Sequence, residues 1–139
     1  MSGLAWMIVL GLVGAAALAA VLLLSRARAR RGRAGALAHQ ARQLKLFGAE
    51  ARADLLRRLT DDQDLDRWQA EYEDWCRRVG ERLARHFPAQ DRAMFDAEHE
   101  PPLGTLAYSR TPRRDACRLV LSEKLQRLDA VIERHLGGT

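Results

Sequence analysis

The chain has 139 residues and a formal charge of +5 at neutral pH, which leaves room for one small domain beside any membrane segment and argues against an elaborate active site. The basic excess is local: residues 26–58 carry +8, residues 59–139 carry −3, and the first 25 have no charged side chain. Nucleic-acid binding would call for basic residues spread over a folded face among aromatics; here all the aromatics but Trp6 and Phe47 sit in the acidic half, which argues against that class of partner.

The first element is an apolar run from Leu4 to Leu24, 21 residues without a polar side chain. As a helix it would reach ~31 Å, the thickness of a hydrocarbon core. Arg26, Arg28, Arg30, Arg31 and Arg33 follow at once. A secretory signal would carry its positive charge ahead of the run and small residues after it; this chain has the reverse order, as expected of an uncleaved anchor. The arginine collar predicts a cytoplasmic C-terminal domain and contact with anionic lipid headgroups. Trp6 suits the aromatic belt at the opposite interface. Gly11, Ala15 and Ala19 recur at four-residue spacing, a stripe that would let two spans pack closely.

Residues 26–35 form a collar in which Gly32 and Gly35 lower helix propensity, so either a joint or a continuous helix fits. From Ala36 the pattern is helical. Leu37, Ala41, Leu44, Gly48, Ala51, Leu55 and Leu59 mark one apolar stripe. Thr60 to Gln63 matches a capping box, which predicts a break near residue 60. The second helix has the strongest stripe, Leu65, Trp68, Tyr72, Trp75, Val79 and Leu83, opposite a charged face. A short helix is predicted over 88–97, with Pro88 in its first turn and Met94 and Phe95 inward. Residues 98–110 have loop chemistry, with Leu103, Leu106 and Tyr108 pinning them to the bundle. Thr111 and Pro112 open a last helix with Cys117, Leu121, Leu125, Leu128, Ile132 and Leu136 inward, stopped at Gly137.

The reading is therefore an all-α chain with a single N-terminal transmembrane helix and a small antiparallel bundle of three main helices and one short one. Its divisions are 1–25 as anchor, 26–35 as basic collar and 36–139 as cytoplasmic domain. Arginine accounts for all basic residues but Lys45 and Lys124, and alanine is abundant, as in GC-rich bacterial coding sequence. The expected address is the bacterial inner membrane, crossed once with the N-terminus outside.

Candidate chemistry is sparse. Asp96, Glu98, His99 and Glu100 supply metal-ligand types but lack the helical spacing that aims ligands at one ion; a solvated loop is the simpler account. His39, His86 and His135 fall on three separate helices. Cys76 and Cys117 lack CxxC or CxxH spacing and have no histidine within helical reach, so reduced, buried structural thiols are expected. No phosphate-cradling glycine loop or activated-serine pattern occurs, and no catalytic, metal or cofactor residue is assigned. Trp68, Tyr72 and Trp75 share one helix face and suit either a partner groove or the core, with the core favoured in so small a domain. These features point to a membrane-tethered protein-interaction module that binds a partner or itself. A membrane effector with oligomerising spans is the alternative, and a metal-dependent enzyme using residues 98–100 is a more distant one.

Overall fold

The computed structural model describes residues 3–59, 64–98 and 111–137, and among them all regular structure is helical. Helix α1 runs Gly3–Glu50, followed by a π-helical stretch Ala51–Leu56. Helix α2 is Leu65–His86, α3 is Ala89–Asp96 and α4 is Pro112–Leu136. The chain divides into two compact units, Met1–Ala36 and Leu37–Thr139.

In the first unit the collar residues are helical, so the two glycines do not interrupt α1. A glycine in a helix costs at most ~1 kcal/mol against alanine, too little to outweigh the good helix formers on either side. This segment includes a helix long and apolar enough to cross a membrane.

The second unit is a helical bundle built on the predicted stripes. Ala41, Leu44, Gly48, Ala51, Leu55 and Leu59 are buried. Steps of four from Ala51 to Leu55 to Leu59 would overshoot an α-helical turn by ~40° each. The wider π turn over 51–56 advances less per residue and keeps Leu55 and Leu59 on the core side. The helical run ends at residue 58 and α2 starts at Leu65, so the expected break near residue 60 is present, preceded by this change of helical pitch. The capping box at Thr60–Gln63 lies outside the described residues.

Asp64 caps α2, its side chain accepting a 3.0 Å hydrogen bond from the Asp66 backbone N–H. The helix then buries Trp68, Tyr72, Trp75, Val79, Gly80 and Leu83. Its outer face is laced by Arg67–Glu71, Arg77–Asp74, Arg77–Glu81 and Arg78–Asp74 pairs. Such exposed pairs contribute little each, so the buried stripe is what holds α2 in place. Pro88 starts α3, which buries Phe95 and Asp91. Pro112 opens α4, whose buried residues are Leu121, Leu125, Leu128, Val131 and Ile132. Gly137 ends that helix with its N–H on the Glu133 carbonyl at 2.7 Å.

Candidate functional site

The aromatic stripe of α2 lies in the core. Trp68 is 2% exposed, Trp75 1% and Tyr72 7%. Trp68 stacks on Tyr72 at 5.3 Å between ring centres, and Trp75 meets the edge of Phe95 at 6.0 Å. Each indole N–H has a backbone partner across the bundle: Trp68 Nε1 donates to the Leu55 carbonyl at 2.8 Å, and Trp75 Nε1 to that of Phe47 at 3.0 Å. These bonds satisfy groups that would otherwise be buried unpaired, and they fix the height of α2 against the preceding helix.

The thiols follow the same logic. Cys76 and Cys117 are free and half-buried. Burial pushes the Cys76 thiol up, against a hydrogen bond from Tyr72 that favours the thiolate. Burial also raises Cys117, with Arg113 opposing. Tyr72 is pushed well above its ordinary range by burial first and then by Cys76. These are inert groups at neutral pH rather than activated nucleophiles.

Of the acidic and histidine cluster, Asp96 and Glu98 are exposed, and Asp96 is paired with Arg92 at 3.1 Å. His99 and Glu100 lie outside the described residues, as do Leu103, Leu106 and Tyr108. Among the described residues no group of three or more His, Cys, Asp or Glu is placed to hold a metal ion. His39 and His86 are exposed. In the first unit Trp6 is 70% exposed, Gly11, Ala15 and Ala19 are exposed, and so are Arg26, Arg28, Arg30, Arg31 and Arg33.

Two arrangements have no counterpart in the sequence reading. The first is a buried carboxylate. Asp91, in the first turn of α3, is fully buried and accepts from Arg134 Nη1 at 2.7 Å, while its other oxygen lies 2.8 Å from His135 Nε2. Phe87 packs against the His135 ring at 5.2 Å. The acid sits at the positive end of one helix dipole and its partners at the negative end of another, so both dipoles favour the pairing. The available signal was an acid three residues after a helix-starting proline; what it lacked was any hint of which side chains would meet it.

The second is a shallow groove of about 220 Å³ lined by Phe47, Arg78, Glu81, Arg82, Arg85 and His86. The guanidinium groups of Arg78 and Arg82 each sit 5.9 Å from the centre of the Phe47 ring. Spacing of 78, 82, 85 and 86 along one helix face was the sequence signal. The charged face of a helix is ordinarily just solvated, which hides it.

Comparison with protein-family models, with curated proteins and with solved structures finds no match to this chain.

Proposed function

We propose that the protein is a single-pass, membrane-tethered interaction module of bacterial inner-membrane type, with its helical bundle on the cytoplasmic side. The observation that carries this reading is the coverage of the N-terminal helix. Large apolar residues from Leu4 to Leu24 are 51–73% exposed. A surface of that kind costs ~25 cal/mol per Å² in water and is at home in lipid. The collar of five arginines then favours a cytoplasmic second unit and adds attraction to anionic headgroups.

The interaction role is supported by how the bundle uses its reactive groups. The indoles, Asp91 and His135 hold helices together, and the thiols are half-buried and protonated. Tethering raises the effective concentration of the bundle for any partner at the same surface, so modest contacts suffice.

Membrane fractions from cells expressing the full chain provide the test. The protein is expected to stay in the pellet after alkaline carbonate, and protease added outside intact spheroplasts should leave the bundle uncut until the membrane is permeabilised. Extraction into the carbonate supernatant would refute the anchor. Deleting residues 1–25 should leave a soluble, helical fragment; an insoluble or unfolded one would remove the idea of an independent module.

A further inference from the structure

We propose that the groove between Phe47 and the last turns of α2 binds a phosphate group. It belongs wholly to the Leu37–Thr139 unit, so the inference stands apart from the anchor and from the interaction role.

Some of the charges around the groove already have partners and others do not. Arg78 is committed: its Nη2 lies 2.9 Å from Glu50 Oε1 and its Nε 3.0 Å from Asp74 Oδ2. Glu81, the one acid on the rim, is paired with Arg77 at 2.9 Å. Arg82 donates one Nη2 bond to the neutral Gln40 Oε1 at 3.1 Å, and its Nε is buried with no hydrogen-bond partner among the described residues. Arg85 and His86 are exposed and make no ion pair among the described residues. The groove therefore gathers Arg82 and Arg85, neither in an ion pair among the described residues, with His86 beside them, Arg82 over the face of Phe47, and the already paired Glu81 on the rim.

The bond Arg82 makes is to a neutral amide oxygen, so its charge has no counter-ion among the described residues, and an anion would make a stronger, charge-assisted partner. An anion in the groove would accept from Arg82 and Arg85 together. Phosphate suits two separate guanidinium groups better than carboxylate does, because its oxygens point in several directions and can accept from both. At about 220 Å³ the groove is smaller than a drug-sized pocket and suits a phosphate with part of the ester that carries it. That phosphate has two sources, a lipid headgroup or a soluble phosphate ester.

Arginine footprinting separates them. The full chain is held in maltoside micelles, which carry no phosphate, and treated with phenylglyoxal; modification is read residue by residue by mass spectrometry. One arm adds inorganic phosphate at ~10 mM, above the millimolar dissociation constant expected of so few contacts, against chloride at equal ionic strength. The other dopes the micelles with phosphatidylglycerol. Arg82 and Arg85 should be modified at least ~3-fold more slowly in one or both arms, while Arg67 and Arg77 keep their rates. Protection by phosphatidylglycerol alone assigns a lipid, and protection by phosphate alone a soluble ester.

Arg82→Lys keeps the charge but loses the fork, and Arg85 protection should then disappear. Should that variant not fold by circular dichroism, Arg85→Lys with readout at Arg82 replaces it. Equal rates in both arms, protection shared by Arg67 and Arg77, or protection that survives the lysine substitution would each overturn the proposal.

Discussion

Substituting Asp91 should destabilise the bundle more than any other single charge change. The carboxylate has no solvent exposure, and both its oxygens are engaged, by Arg134 at 2.7 Å and His135 at 2.8 Å. Removing one partner from a buried ion pair ordinarily costs ~3–5 kcal/mol, much of it from the group left behind. Here the side chain of Arg134 is 43% exposed and can return to water, whereas that of His135 is only 12% exposed. Asp91→Ala should therefore fall at the lower end, about 3 kcal/mol. Asp91→Asn keeps the volume and one acceptor and should lose ~1–2 kcal/mol. Urea unfolding in maltoside, followed by the fluorescence of Trp68 and Trp75 in a Trp6→Phe background, reads the difference. A double-mutant cycle with Arg134→Ala should show a coupling of ~1–2 kcal/mol. A loss below ~1 kcal/mol for Asp91→Ala, or no coupling, would show that the carboxylate does not hold α3 to α4 and that the reasoning is wrong.

Three further outcomes follow from the same packing. Trp68→Phe keeps an aromatic ring but strands the Leu55 carbonyl, and should cost ~2–3 kcal/mol in the same unfolding assay; a neutral result would mean that another donor replaces the indole. Gly80→Ala should stabilise by ~0.5–1 kcal/mol, since glycine is a poor mid-helix residue. The added methyl would meet only Arg92 Nη2 and Asp96 Oδ1 at 3.9 Å, an ordinary contact, and a loss of stability would contradict that spacing. Tyr72, whose ordinary value is 10.0, is held protonated in the folded chain by burial and Cys76. A raised folded value means the contribution is whole below about pH 10 and is lost as the pH climbs above it, because the unfolded phenol ionises first. The urea midpoint should therefore drop more steeply on going alkaline in the wild type than in Tyr72→Phe; parallel curves would argue against burial of the phenol.

The sequence determined the helices and their inward faces, because helical periodicity is a local property that spacing alone reveals. The stripe from Ala41 to Leu59 and the aromatic stripe of α2 were legible for that reason, as was an N-terminal helix apolar enough to cross a membrane. Tertiary structure decided everything that depends on which helices meet. That α1 gives way to a π turn at 51–56 before the helical run ends at residue 58 reflects the core's demand that Leu55 and Leu59 face inward. The indole bonds to the Phe47 and Leu55 carbonyls and the Asp91–Arg134–His135 contacts join residues 13 to 44 apart. No local pattern encodes such pairings. The candidate phosphate groove has the same origin: Arg82, Arg85 and His86 are a helix face in the sequence, and only the packing of Phe47, Gln40 and Glu50 against α2 decides which of its cations keep a carboxylate and which are left open.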